Sequence, residues 1–508
     1  MSSAESKLHP AWEESQQAVT TDRRRWAGLI LLCVALFLEA MNFSSINVQI
    51  PAISADLHLS TATAQFLVST YLVAYAGFLL LGGRISDLVS RRLVFISSVA
   101  LFGLASLAAG LAGNAELLIA ARAVQGIAAA FTTPAAMSII TTTFSEGPER
   151  NRALGIYSMI GASGFAIGAV LSGVLTSLLN WRWGFFDYVI ITALVIALTP
   201  VLVTKSNRSS SATQGLDIAG ALLGTAGLLA LVYTVGEAHT AAVGQTLADL
   251  ALAIILLVVF VVVEARARTP ILPLGILRLP TLASANIVGF IEYVGFTGMV
   301  FISTLYLQNV LGYSPFQAGL AFLPMGIETA IASNLAPPLI NRLGIKPTLV
   351  LGMILFTGGI ALLAGMISTG GTFWNFVLPS LLVGGGLSLA FPAVVIAAVS
   401  DVSAANQGLA SGLITTSGQL GGALGLAVII FVAAVFTPIV AGAHPQAQAV
   451  SQALVSGFRP ALLLATAFAF LGTLVALVGF KGRSPSQPEQ AISSGSLAEE
   501  EPVHSKSS

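Results

Sequence analysis

The chain has 508 residues, of which 56% are hydrophobic and only 9% charged, with 50 glycines and a formal net charge of zero. A soluble domain carries charge on roughly a quarter of its residues, so water is not the main solvent here, and a neutral total singles out no class of partner. The lone cysteine, Cys33, excludes an internal disulfide framework and a Cys-rich metal site.

Residues 1–25 form a polar N-terminal tail ending in Arg23-Arg24-Arg25. The apolar run from Trp26 reads as a retained first span, although the basic run before it mimics a signal peptide. Spans are predicted near 26–50, 61–82, 93–112, 116–140, 152–178 and 183–203. A serine-rich polar linker, Lys205 to Gly215, precedes spans at 216–236 and 246–264. After a basic loop through Arg278 come 281–307, 316–340, 348–368, 374–398, 407–437 and 459–480, and the tail beyond Gly482 has a disordered composition. A helix crosses the hydrocarbon in about 20 apolar residues, whereas a barrel strand alternates over about ten. The long continuous runs therefore predict an all-α polytopic membrane protein with fourteen transmembrane helices.

Positive charge sets the orientation, because loops rich in Lys and Arg stay cytoplasmic. Arg23 to Arg25, Arg84, Arg91, Arg92, Arg150, Arg152, Arg266, Arg342 and Lys346 share one side with the basic linker, the loop through Arg278 and Lys481 and Arg483. Only Arg182 and Arg459 lie opposite, so both termini are predicted to be cytoplasmic. The setting is a plasma membrane, the inner membrane in a bacterium.

Enzyme signatures are missing. No lysine follows glycine as a phosphate-cradling loop requires, and His9, His58, His239, His444 and His504 all fall in tails or loops. The expectation is a protein that is not an enzyme, with no metal, no cofactor and no nucleic-acid partner. Chemistry is instead sought in polar groups at midspan: Glu39, Arg122 with Gln125, Glu292 and Glu328. A charge at the bilayer centre costs about 2.5–3.5 kcal/mol, so such a residue faces a water-filled cavity, a buried partner or a nearby interface.

The stretch Gly82-Gly83-Arg84-Ile85-Ser86-Asp87-Leu88-Val89-Ser90-Arg91-Arg92 resembles the signature loop of the major facilitator superfamily, with Ser90 in place of its second glycine. Arg122-Ala123-Val124-Gln125-Gly126 looks like the span-4 motif of that family. In span 5, Gly155, Gly164, Gly168 and Gly173 fall at the antiporter-motif spacing, with Ala169 for its proline and Ser172 for one paired glycine. Trp181-Arg182-Trp183 and the run from Gln407 to Gly422 are similar to the fourteen-span drug:proton antiporter branch. This resemblance implies a major facilitator fold with six-helix bundles over 26–203 and 281–480 and two extra helices in a linker at 204–280. Asn341 to Lys346 reads as a worn second copy of the basic loop. Rocking of such halves about a midplane site exposes cargo alternately to each side.

Physical roles follow for these motifs. Gly164, Gly168 and Ser172 make a flat helix face for close packing, and Gly83, Asp87, Arg91 and Arg92 a latch between conformations, besides the topology anchoring that the arginines provide. Span 1 departs from the branch: its usual acid is Asn42, while Glu39 stands one turn earlier on the same face. Glu39, Asn42, Ser45 and Gln49 would form a polar stripe toward the cavity. The expectation is a proton-coupled exporter of small, largely apolar organic compounds, with Glu39, Arg122 and Gln125 coupling protons. Asn42, Gln65, Tyr71, Glu292, Tyr293 and Glu328 are expected to meet the cargo, and a monomer to suffice. An uptake symporter is the alternative in the same fold, and a non-transporting membrane sensor the reading from another class.

Overall fold

A computed structural model describes residues 2–144, 148–203, 218–238, 241–267, 279–400, 402, 407–438 and 447–480, with side chains from Arg23 onward. The serine-rich linker, the loop through Arg278 and the tail beyond Gly482 lie outside the described residues, as do the side chain of Asp87 and the surroundings of Gly155.

The described chain is helical, as lipid demands: with no water to satisfy N–H and C=O groups, each spanning segment bonds to itself. The helices are α1 (Ser2–Asp56), α2 (Thr61–Leu88), α3 (Arg91–Gly110), α4 (Ala115–Thr143), α5 (Pro148–Leu178) and α6 (Trp183–Leu202). Next come α7 (Ile218–Glu237), α8 (Val243–Arg266) and α9 (Pro280–Leu305), which runs on into a π-helical turn, Tyr306–Val310. The last are α10 (Pro315–Ala332), α11 (Ala336–Leu343), α12 (Ile345–Met366), α13 (Phe373–Ser400), α14 (Gln407–Phe436) and α15 (Ala447–Gly479). Polar side chains start several of them. Asn114 accepts from Leu117 N at 2.9 Å, and Ser314 forms a reciprocal capping box with Gln317.

Thirteen helices among the described residues are long and apolar enough to cross a bilayer, where the sequence predicted fourteen. The difference lies at 316–340, which is divided between α10 and α11 at Ser333–Leu335. Pro337 and Pro338 explain it: neither has an N–H to give, so the carbonyls at 333 and 334 lose their helical donors. Ahead of the break α10 keeps 18 residues, about 27 Å at 1.5 Å per residue, and Gln317 and Glu328 lower the apolarity of that short segment. Gly344, at φ 93°, then ends α11 in a backbone region that favours glycine, which accounts for the worn second copy of the basic loop keeping that residue.

Packing follows the chain. α1 lies on α5, α4 and α6, α2 on α4, and α3 on α4 and α6; later in the chain α9 packs on α14 and α15, α12 on α13 and α15, and α10 on α13. The main contacts between these sets are α5 with α10 and α2 with α14, joined by smaller ones of α1 with α9 and α10, while α7 pairs with α8 and rests on α2 and α14. α8 turns Leu247, Leu252, Ile255 and Val258 outward, which suits a helix bathed in lipid. At the Asp56 end the Trp181-Arg182 turn clasps α1: Trp181 Nε1 and Arg182 Nη1 both donate to Asp56 Oδ2, at 3.0 and 2.7 Å. Arg182 also reaches the Ala112 carbonyl after α3, so one side chain ties three connections together.

Candidate functional site

Arg122 is fully buried, two turns into α4. Its Nη1 donates to Asn42 Oδ1 at 2.6 Å and to Gln125 Oε1 at 2.9 Å, and its Nε to the Leu67 carbonyl at 3.1 Å. The guanidinium lies 4.6 Å from the centre of the Tyr71 ring, so an aromatic face carries part of the charge. Gln125 Nε2 donates in turn to Ser106 Oγ at 2.8 Å, which donates to the Phe102 carbonyl. No carboxylate among the described residues lies in ion-pair range of Arg122. The network is held by a neutral amide where the resemblance leads one to look for an acid.

Glu39 stands apart from that network. Half-buried on α1, its Oε2 accepts from the Thr133 hydroxyl of α4, and Tyr75 of α2 faces the same carboxyl. It also lines a cavity of about 20 Å³ with Val99, Phe102, Thr132 and Thr192. That is room for about one water, with two hydroxyls in the wall. The stripe expected along α1 therefore turns into its own helix group: Asn42 meets α4, while Gln49 Nε2 donates to Ser45 Oγ at 2.8 Å and to Ser172 Oγ of α5 at 2.9 Å.

The remaining expected cargo contacts are dispersed. Tyr71 sits under Arg122 as described, whereas Gln65 donates to Ser69 Oγ at 2.9 Å, and Ser69 to the Ala423 carbonyl of α14. Glu292 of α9 is fully buried, and neither carboxyl oxygen has a hydrogen-bond partner among the described residues. Tyr293 packs on Gly418 of α14 and lies 6.4 Å from Phe391. Glu328 rests on Gly384 and Gly385 of α13, where a side chain on either glycine would displace its carboxyl.

In span 5, Gly164 approaches Phe37 O and Gly168 approaches Met41, both on α1, whereas Gly173 meets Pro315 O of α10. The opposite face of α5 makes a seam that sequence reasoning missed, in which Ala166 and Ala169 pack on Gly326 and Gly319 of α10. Of the latch residues, a side chain on Gly83 would meet open space, whereas neighbouring Gly82 lies on the Ala130 carbonyl of α4. That carbonyl is free to receive it because Pro134, four residues on, has no N–H. Arg91 and Arg92 occupy the first turn of α3.

Five phenylalanines were also missed. Phe43 of α1 stacks on Phe296 of α9 with centroids 5.7 Å apart, and Phe165 of α5 lies 6.3 Å from the first and 5.8 Å from the second. Phe322 and Phe376 continue the chain of rings into α10 and α13. No motif marks these residues; only their shared apolar character at midspan could have flagged them. A separate cavity of about 470 Å³ at the Asp56 end, lined by Pro51, Ala62, Phe301, Leu305, Ile430 and Phe458 among others, includes none of the expected site residues.

The geometry offers a buried polar cluster, isolated carboxyls and an aromatic contact between helix groups. Comparison with known proteins gives it a context. The sequence profile of the Major Facilitator Superfamily matches residues 32–426. The puromycin resistance protein pur8 of Streptomyces alboniger is 32% identical over 487 residues, covering 95% of this chain and 96% of that protein. The cephamycin export protein CmcT of Amycolatopsis lactamdurans is 36% identical over 80% of this chain and 84% of its own length. A solved bacterial homologue of the human lysosomal transporter Spinster, inward-facing and occupied, superposes with a TM-score of 0.65 at 16% identity, covering 90% of this chain and 96% of that one. This last is a likeness of fold alone.

Proposed function

We propose, from the premise that the chain belongs to the Major Facilitator Superfamily, that it exports small, largely apolar organic compounds, such as an antibiotic or another secondary metabolite, in exchange for protons. One observation carries the reading: similarity over 95% of the chain to a protein named for antibiotic resistance and over 80% to one named for antibiotic export. The family is one of transporters, which work by carrying small molecules and not by catalysis. Members span the membrane many times, which the thirteen candidate spans match.

Two units, 26–203 and 281–480, rock about the aromatic contact, with α7 and α8 as an added pair. Glu39 is the proton carrier. Its neighbours suit that role, since the Thr133 hydroxyl and a one-water cavity give a proton both a partner and a path. Arg122, Asn42 and Gln125 form the rigid frame against which that carboxyl changes state. Inward movement of one proton down the membrane potential supplies about 2.3 kcal/mol per 100 mV. Reconstituted protein should move a fluorescent apolar cargo out of the compartment held at the lower proton concentration, and uptake in the opposite sense would favour a symporter.

The orientation has its own test. With Cys33 replaced and single cysteines placed at Ser210 or Gln245, only the second should react with an impermeant thiol reagent added outside intact cells, because basic loops stay cytoplasmic. Labelling at Ser210 alone would reverse the topology.

The latch is also open to experiment. Asp87→Asn removes one charge from the last turn of α2 without changing the side chain's size. If Asp87 biases two global states, export should fall at least about tenfold, the effect of about 1.4 kcal/mol, with the protein still inserted at normal abundance. Wild-type export would reduce Asp87 to a surface charge.

A further inference from the structure

We infer that the cavity of about 470 Å³ at the Asp56 end is a binding site in its own right, for a small uncharged amphiphile that lies with its polar head at the helix ends and its apolar body between the helix groups. The site is independent of the direction of transport and of what drives it.

Its wall is shared. Pro51 of α1 and Ala64 of α2 supply one side, Phe301 of α9, Ile430 of α14 and Phe458 of α15 the other, and Glu237 joins them from the end of α7. The volume falls within the roughly 300–1,000 Å³ of small-molecule sites. Further from the Asp56 end, Ser69 Oγ donates to the Ala423 carbonyl at 3.3 Å, so α2 and α14 meet below the cavity.

Polarity is graded along it. Ala64, Phe301, Ile430 and Phe458 are buried and make an apolar floor, whereas Ser60, Thr61 and Asn309 stand exposed at the helix ends. A hydroxyl or amide head exchanges hydrogen bonds with that mouth while its chain leaves water for the floor. Charge in the wall selects against ions. No lysine or arginine lines it, so an anion finds no partner there, and Glu237, its one carboxyl, already has a partner of its own and leaves none for a cation.

The way α9 ends shapes the same wall. In the π-helical turn Tyr306–Val310 the Leu311 N–H reaches back five residues to the Tyr306 carbonyl at 3.0 Å, which widens the turn. Asn309 then lines the cavity, while its neighbour Gln308 donates from Nε2 to the Val48 carbonyl of α1 at 2.9 Å. That bond ties α9 to α1 beside Ile50, another residue of the wall. A guest therefore binds while the helix groups lie together at this end, and by reciprocity its presence holds them there.

Photolabelling of the full chain in lipid nanodiscs with azioctanol, an octanol analogue bearing a diazirine, tests the site, with labelled peptides mapped by mass spectrometry. Labels should fall on the segments carrying Pro51, Phe301 and Ile430 and disappear in excess octanol, whereas labels on the outward face of α8 should persist, because partition into lipid does not saturate. Octanol should protect these segments on the order of tenfold better than octanoate or octylammonium, the scale of one polar group left without a partner. Ala434→Trp, on a half-buried residue of the wall, should fill the cavity and remove the saturable labels, while Leu252→Trp on α8 should leave them. Gln308→Ala should reduce them although Gln308 is not itself in the wall. Labels confined to lipid-facing helices, cavity labels that octanol does not displace, or full saturable labelling in Ala434→Trp would each overturn the site. Equal or better protection by either ion would overturn its preference for an uncharged guest, and undiminished labelling in Gln308→Ala its dependence on both helix groups.

Discussion

Glu39→Gln is expected to abolish gradient-driven export while leaving cargo binding in place. The amide keeps the size of the acid and still accepts from Thr133, but it cannot take up and release a proton beside the small cavity bounded by Thr132 and Thr192. The effect should be large, because uncoupling forfeits about 2.3 kcal/mol per charge per 100 mV, roughly a 50-fold concentration ratio. A second variant sharpens the test. Asn42 Oδ1 already lies 2.6 Å from Arg122 Nη1, so Asn42→Asp in the Glu39→Gln background returns an acid to the same helix face and pairs it with the guanidinium. Partial recovery of coupling is expected, followed in vesicles under an imposed pH gradient alongside a binding assay. Full proton-coupled activity in Glu39→Gln alone would pass the carrier role to Glu292 or Glu328.

Arg122→Lys should be nearly as damaging, although it preserves the charge. The guanidinium reaches the Asn42 and Gln125 amides from Nη1 and the Leu67 carbonyl from Nε while lying over Tyr71. A lysine ammonium is a point on a flexible stem and cannot keep all these partners at once. Each buried acceptor left without a donor costs about 1–3 kcal/mol, so export should fall at least about tenfold and thermal stability in detergent should drop measurably. Arg122→Ala, which strands every acceptor and a space as well, should lower stability further. Retention of wild-type export and melting behaviour by the lysine variant would show that charge alone matters there.

Much of the fold was legible because a spanning helix is a composition before it is a structure. Length and apolarity located the spans at 61–82 and 116–140 close to α2 and α4. The break in 316–340 was readable too, in Pro337 and Pro338, but a hydropathy pattern passes over a missing N–H. Helix faces were harder. Residues three or four apart on α1 were known to share a side, yet the partner of that side depends on how α1, α4 and α5 are arranged. Thr133 as the partner of Glu39, 94 positions away, was therefore out of reach. The same limit explains Gly82: its value comes from the Ala130 carbonyl that Pro134 leaves exposed, a relation between two helices that neither spells out alone.

Arg122 also bears on how the chain is made. An arginine at this depth is a poor passenger for a helix that must enter lipid by itself. Its principal partners on other helices, Asn42, Leu67 and Tyr71, all precede it, as does Ser106, which anchors its neighbour Gln125. Chains emerge from the ribosome N-terminus first, so α1, α2 and α3 are synthesised before α4 arrives, and the acceptors for its charge can already be waiting. Moving this arginine to α1 would reverse that order, presenting the charge to the bilayer before any helix existed to receive it.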